Sequence, residues 1–320
     1  MRRILDDGRF HSGQELARRL GVTRTAVWKL LERMRQLGYA VDARPRGGYR
    51  LAGIPDWPLP WEVALRLGEE ESGARPIYFY PSIPSTNDAA RQLAEAGAPA
   101  GTLVVADRQT AGRGRRGRTW QSPPGGIYLS VVARPRCQPS QAPVLALASA
   151  LAVARAVEAL SGQPAAVKWP NDVLVHERKL SGVLAEVAAD QETLRWAVIG
   201  IGLNVEPVPA GEHAFPRPIG LVELGCRAHR AAVIARVVLE LEGLLQRLDR
   251  SPAEAAAEVA REIEARLVWK GRPVRVDTLA APVEGELVGV DASGALLLRV
   301  GTGETLRLFA GDVTLRARPA

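Results

Sequence analysis

The sequence predicts an α+β protein in three parts: an N-terminal winged helix-turn-helix, a central domain on a mixed sheet, and a small C-terminal β-barrel. Three observations carry this. Two helical segments meet at Gly21 and are followed by two short strand-like runs. From residue 77 to about 267, strand-like and helical runs alternate irregularly, and several neighbouring strands have no helix between them, so they cannot all be parallel. The last fifty residues hold five short strand-like runs separated by glycine, proline or aspartate. The boundaries follow as 1–54, a linker over 55–76, a central domain over 77–268 and a C-terminal barrel over 269–320.

In the first part, residues 14–20 are helix formers with Leu16, Ala17 and Leu20 on one face. Gly21 supplies the turn, Thr23 is an N-cap, and a second helix spans 24–38 with Val27, Leu30, Leu31, Met34 and Leu37 on its inner stripe. Its other face carries Arg24, Thr25, Trp28, Lys29 and Arg33, the polar and basic surface that a recognition helix presents to the major groove. Strands over 39–43 and 48–51 flank Arg44-Pro45-Arg46-Gly47, a basic tip suited to phosphate. Thr23, Arg24, Thr25, Trp28, Lys29 and Arg46 are therefore the DNA-binding candidates, although the same fold also serves protein contacts. The helix ahead of Phe10-His11-Ser12-Gly13 is very short. The linker holds four prolines, an acidic cluster at Glu69-Glu70-Glu71 and one short helix.

The central domain predicts strands over 77–80, 102–106, 126–133, 165–169, 179–188 and 194–203, and helices over 85–96, 141–160, 228–248 and 252–268. The C-terminal strands fall at 274–277, 283–290, 295–300, 305–309 and 313–316.

Composition narrows the function. With 47% apolar and 24% charged residues the chain has the profile of a globular protein. No stretch reaches the roughly 18 uninterrupted apolar residues of a membrane span; 142–157 comes nearest and, interrupted by Arg155, reads as a buried helix. Acidic residues follow the N-terminus too soon for a signal peptide, so a cytoplasmic location is expected. Cys137 and Cys226 form no CxxC, and four scattered histidines complete no metal-ligand spacing. The net charge is +7, and lysine occurs only at 29, 168, 179 and 270. Between Asp107 and Glu158 there are eight arginines and no carboxylate, which marks a site for an anion.

Within that stretch lies Gly112-Arg113-Gly114-Arg115-Arg116-Gly117-Arg118-Thr119-Trp120. Its glycines fit G-x-G-x-x-G, but a dinucleotide loop should open a helix and meet an acidic residue about 20 positions on. Here Gln-Ser-Pro-Pro follows and no acid is in reach, so the Rossmann reading fails. What remains is a pliant backbone carrying four guanidinium groups, suited to closing over a polyphosphate or to tracking a nucleic-acid backbone. Upstream stands Ser85-Thr86-Asn87-Asp88, which by itself is a helix cap with Asp88 placed for a capping box. Downstream follow Lys168-Trp169-Pro170-Asn171-Asp172, Lys179-Leu180-Ser181-Gly182-Val183-Leu184 and Ile199-Gly200-Ile201-Gly202-Leu203-Asn204.

In this order and spacing the motifs resemble the biotin–protein ligases, and with the winged helix in front the chain resembles their bifunctional group, which also represses the biotin operon. The resemblance covers essentially the whole chain. It implies a central domain like that of class II aminoacyl-tRNA synthetases and an SH3-like C-terminal barrel. It further implies that biotin and ATP, with Mg2+, give biotinyl-5'-AMP, from which biotin passes to a lysine of the biotin carboxyl carrier protein. Two anions must meet in the first step, so fixed positive charge is required, and Lys179, Arg115 and Arg118 are the candidates for that role. By resemblance, Ser85, Thr86, Asn87 and Gln109 contact biotin together with Gly112, Arg113, Gly114, Arg115, Lys179, Gly182 and Gly202. The nucleotide falls to Arg116, Arg118, Trp120, Lys168, Asn171, Asp172, Asn204 and Arg316, with Asp172 also a candidate metal ligand. Operator DNA and an adenylate-dependent homodimer are implied as well, and no membrane. A lipoate–protein ligase is the nearest alternative, and a non-catalytic ligand sensor on DNA is the alternative from another class.

Overall fold

The computed structural model describes residues 1–69, 75–209 and 216–315. The chain divides into two compact units, 1–57 and 58–320.

In the first unit a 3-10 turn, Ile4–Asp7, precedes α1 (Gly13–Leu20) and α2 (Arg24–Gln36). Ser12 Oγ accepts from Glu15 N and Thr23 Oγ1 from Ala26 N, satisfying donors that each helix start leaves open. Gly21, at φ 66°, ends α1 in the left-handed region that favours glycine. The wing is the antiparallel pair β1 (Ala40–Arg44) and β2 (Gly48–Gly53). Leu5, Leu16, Val27, Leu31 and Met34 form its core. Leu30, expected on the inner stripe, is 41% exposed: the face is narrow enough for Val27, Leu31 and Met34 to fill it.

One buried group ties the short first turn to α1. The His11 ring is held between Asp7 at 3.0 Å and Glu15 at 3.0 Å. The hydrogen bond to Asp7, then that to Glu15, raises its pKa above the ordinary 6.5, and the same contacts lower those of Asp7 and Glu15. A raised folded-state pKa stabilises below pH 6.5, and that contribution disappears as pH rises through the folded value; the two carboxylates lose theirs as pH falls below about 4. The opening free energy of α1 in the full chain, read from amide exchange after dividing out the intrinsic base-catalysed rate, is therefore expected to fall as pH rises from 6.5. In His11→Asn this corrected fall should vanish; a fall of equal size would show that another group titrates.

The second unit begins with α3 (Pro60–Leu67), inside the segment expected as a linker. Val63 is fully buried and the helix packs on the later helix Arg230–Arg250, so these residues are part of the core. There follow β3 (Ile77–Tyr80), α4 (Thr86–Glu95), β4 (Leu103–Ala106), β5 (Ile127–Ala133), α5 (Ala142–Ser161), β6 (Ala166–Lys168), β7 (Asp172–Val175), β8 (Arg178–Ala189), β9 (Leu194–Leu203), α6 (Arg230–Arg250) and α7 (Pro252–Arg266). The seven strands lie in the order β3-β4-β5-β9-β8-β7-β6, parallel only between β3 and β4. The mixed sheet is thus as predicted, with β7 added where the sequence showed only a motif.

Side-chain alternation splits this sheet into two faces. Leu129, Val131, Val183, Ile199 and Ile201 enter the main core beneath α5, α6 and α7. Helix α5 is long and apolar enough to cross a membrane by length and composition, yet it is largely buried here. Each fully buried leucine on it contributes roughly 1.5–3 kcal/mol over its exposed state. The other face carries α4 over Val104, Val132 and Val198 and, beyond α4, three glycines: Gly182, Gly200 and Gly202.

The last strands are β10 (Pro273–Asp277), β11 (Pro282–Val290), β12 (Leu296–Arg299), β13 (Thr305–Leu308) and β14 (Asp312–Leu315). They form one antiparallel sheet in the order β13-β12-β11-β10-β14. Trp169 Nε1 donates to Gly294 O at 3.1 Å, fixing this sheet beside the central one. Gly311 and Asp312, at the start of β14, thereby face the arginine loop.

Candidate functional site

The glycine floor is a consequence of register. Gly182 pairs with Gly202 across β8 and β9, and Gly202 with Tyr128 of β5; one row along, Leu184 pairs with Gly200 and Gly200 with Ser130. Without side chains, this row of strands leaves a cleft over the sheet. A Cβ on Gly202 would stand 2.4 Å from the Trp120 ring, one on Gly182 2.9 Å from it, and one on Gly200 2.1 Å from Asn87 Oδ1. The glycines are therefore required by what lies on them.

At one end of the cleft, the start of α4 builds a neutral polar cluster. Ser85 caps the helix, Thr86 N donates to Gln109 Oε1 at 2.9 Å, and Gln109 Nε2 donates to Ser122 Oγ at 2.9 Å. Ser130 Oγ, fully buried on β5, lies 2.8 Å from Thr86 Oγ1 and 2.6 Å from Asn87 Oδ1. Asp88 does not use its carboxylate in the expected cap but takes Arg113 at 2.7 Å. Leu184 adds an apolar wall.

The other end is cationic. Lys179 Nζ lies 2.8 Å from Asp172 and 5.2 Å from the Trp120 ring centre, which suits a cation–π contact. Residues 112–120 cross the mouth as a tight turn: Gly114 N donates to Arg118 O at 2.7 Å, and Arg116 (φ 55°) and Gly117 (φ 72°) make the reversal. Every arginine in it has a partner. Arg113 also reaches Glu186 at 3.0 Å, Arg115 reaches Asn171 Oδ1 and Gly311 O, and Arg116 reaches Asp277 O. Arg118 pairs with Asp312 at 2.7 Å. Burial pushes the pKa of Arg115 down from its ordinary value, with Asp312 opposing; phosphate oxygens would supply the charge that this half-desolvated guanidinium lacks.

Ser85, Thr86, Asn87, Gln109, Arg113, Gly114, Arg115, Arg118, Trp120, Asn171, Asp172, Lys179, Gly182 and Gly202 all line this one cleft. The remaining candidates stand around it. Gly112 packs behind it on Ser122 and the Trp120 carbonyl, and Arg116 points to the C-terminal sheet. Asn204 is buried and donates to the Lys179 carbonyl. Lys168 is 8% exposed with its ammonium 5.9 Å from the Trp269 ring centre, and burial lowers its pKa. Arg316 lies outside the described residues. Among the described residues no group of three or more His, Cys, Asp or Glu is arranged to hold a metal.

Sequence reasoning missed Ser130, Glu186, Gly200 and Asp312. Ser130 and Gly200 had a signal, a polar or small residue inside an apolar strand; Glu186 and Asp312 had none.

In the first unit, Arg24, Thr25 and Trp28 at the start of α2 and Arg44 and Arg46 of the wing line a second groove. Trp28 is 54% exposed, and Arg44 stacks 4.3 Å from the Phe10 ring centre, steadying the wing.

Comparison with known proteins fits both grooves. The Biotin/lipoate A/B protein ligase family matches residues 79–204, an HTH domain 1–50, and the Biotin protein ligase C terminal domain 271–316. The chain is 36% identical to the Bifunctional ligase/repressor BirA of Bacillus subtilis over 313 residues, 96% of this chain and 94% of that protein. It is 38% identical to the Biotin–[acetyl-CoA-carboxylase] ligase of Mycobacterium tuberculosis, covering 76% of this chain and 90% of that one. The solved structure of the Aquifex aeolicus biotin protein ligase in complex with biotin and ATP superposes with a TM-score of 0.64 at 30% identity, over 76% of this chain and 99% of that chain. The likeness to bifunctional ligase/repressors thus runs along nearly the full length, helix-turn-helix, ligase and C-terminal domains included, and the chain belongs to the bifunctional ligase/repressor family of biotin protein ligases.

Proposed function

We propose that the chain joins biotin to ATP and then to a lysine of the biotin carboxyl carrier protein, and that its first unit represses transcription at an operator. The carrying observation is that one cleft holds a neutral polar cluster at one end and Lys179, Arg115 and Arg118 at the other. Thr86, Asn87 and Gln109 suit the ureido head, and Leu184 the apolar body. The biotin carboxylate then lies toward the cations. Its oxygen attacks the α-phosphorus of ATP, pyrophosphate leaves, and the fixed charges offset the repulsion between the two anions. In the second step the neutral amine of the carrier lysine attacks the acyl carbon and AMP departs.

Trp120, Asn171, Asp172 and Asn204 are assigned to the nucleotide half, with Arg116 and Lys168 adding charge around it. Mg2+ neutralises phosphate charge when bound, and a single carboxylate beside phosphate oxygens is a usual way to hold it; Asp172, on the cleft wall, is the residue that fits. The 112–120 loop excludes water from the acyl-adenylate. Its arginines now rest on Asp88, Glu186 and Asp312, and nucleotide phosphates would compete for them. Ordering of this loop on the adenylate would favour a homodimer that brings two α2 helices to two half-sites. The carrier and the operator both place the chain in the cytoplasm.

Incubation with biotin, ATP, Mg2+ and carrier domain should release pyrophosphate and label the carrier, with lipoate inert in place of biotin. No labelling with biotin would refute the enzyme reading. Arg24→Ala with Lys29→Ala should weaken operator binding about tenfold or more while ligation is retained; an equal fall in ligation would refute the division of labour between the units.

A further inference from the structure

Glu186 lies outside every motif that pointed to the cleft, yet one of its oxygens holds two parts of it. Oε2 accepts from Asn87 Nδ2 at 2.8 Å and from the Arg113 guanidinium at 3.0 Å. Alternation along β8 puts it there, since Gly182, Leu184 and Glu186 share the face toward α4. An ionised carboxylate only accepts hydrogen bonds, so it compels Asn87 to turn its amide nitrogen toward Glu186. The second amide hydrogen goes to Leu184 O at 3.3 Å. The Asn87 oxygen is thereby fixed on the opposite side, where Ser130 Oγ donates at 2.6 Å and the bare backbone of Gly200 lies against it. One lone pair of that oxygen remains for a ligand.

We propose that Glu186 is a positioning residue: it presents Asn87 Oδ1 as an acceptor for a ligand N–H and, through Arg113, ties that acceptor to the arginine loop. The proposal rests on the biotin reading of the cleft, in which a ureido N–H is the donor that such an oxygen selects. A neutral amide at 186 both donates and accepts, so it no longer dictates which end of Asn87 faces the cleft. It also halves the carboxylate support of Arg113, leaving Asp88 alone.

The test is the discrimination between biotin and an analogue methylated on one ureido nitrogen, measured by equilibrium binding and by KM and kcat for pyrophosphate release in the full chain. Glu186→Gln should weaken biotin binding and raise KM about tenfold, change kcat at saturation less than threefold, and shrink the preference for biotin over the analogue. Tryptic cleavage after Arg115 and Arg116 should quicken in the same variant. Asp88→Asn loosens Arg113 without touching Asn87, so it should quicken the cleavage and keep the preference. Should Glu186→Gln fail to fold, Ser130→Ala, which frees the other end of the Asn87 oxygen, should lower the preference as well. A wild type that binds biotin, with the preference unchanged in the Glu186 and Ser130 variants, overturns this proposal alone; a wild type that does not bind biotin overturns the biotin reading with it.

Discussion

Lys179→Ala is expected to slow adenylate formation by about two orders of magnitude or more at saturating biotin and ATP, the usual consequence of removing one aimed charge from a water-poor site. The lysine stands at the start of β8, and its position is over-determined. Its backbone N–H donates to Arg217 O at 2.7 Å, its carbonyl accepts from Asn204 Nδ2 and Ile219 N, and its ammonium is placed between Asp172 and the Trp120 face. The loop arginines stand on the 112–120 segment outside the sheet, whereas Lys179 belongs to one of its strands. In the proposed reaction it is the charge already in place when the biotin carboxylate and the α-phosphate approach each other. Losing the ion pair also removes the 2.8 Å partner of Asp172, so the carboxylate on the cleft wall is no longer fixed. Single-turnover measurement of pyrophosphate release separates this from product release. A normal single-turnover rate would mean that the arginines alone supply the charge.

Most of the fold was legible in the sequence because its elements are marked by local chemistry. The caps at Thr23 and Ser85 and the left-handed Gly21 fall where helix starts and ends were predicted. Irregular alternation of strands and helices excluded an all-parallel sheet, and the observed order has one parallel pair. Two things were not legible. Strand β7, Asp172–Val175, is four residues long and overlaps a motif, so its strand character exists only through pairing with β6 and β8. The short helix expected among the linker prolines is α3, but its place in the core was not legible, since only packing on α6 makes Val63 a core residue. For the site, the cationic loop and the α4 cap were visible because each is contiguous. Glu186 and Asp312 act on that loop from 73 and 196 residues away, and no local pattern encodes such a contact. The same long-range pairing explains why the loop is not free: the charge of Arg113, Arg116 and Arg118, which on sequence grounds awaited an anion, is held by the protein's own carboxylates, while Arg115 rests on neutral oxygens.

Gly202→Val carries the second large expectation, a loss of about a hundredfold in kcat/KM for pyrophosphate release with the fold retained. Gly202 reads as an ordinary small residue in an apolar strand, but its missing side chain is where the Trp120 indole lies, 2.4 Å from the position a Cβ would take. The sheet backbone at this point pairs with both β5 and β8 and cannot yield. Trp120 can, because it belongs to the loop; its indole Nε1–H is buried without a partner, so no hydrogen bond anchors the ring. The valine therefore evicts the ring, and with it the face that Lys179 rests on and the wall assigned to the nucleotide. A misplacement of about 1 Å in such a site costs roughly a hundredfold. Because the eviction occurs on the cleft side and leaves Leu129, Ile199 and Ile201 untouched in the core, the thermal midpoint should move only slightly. Tryptophan emission should shift toward that of a solvated indole. A variant with unaltered kinetics would show that Trp120 need not lie on Gly202 for catalysis, and a variant that unfolds would show that the ring is a core residue of the fold and not the movable wall of a site.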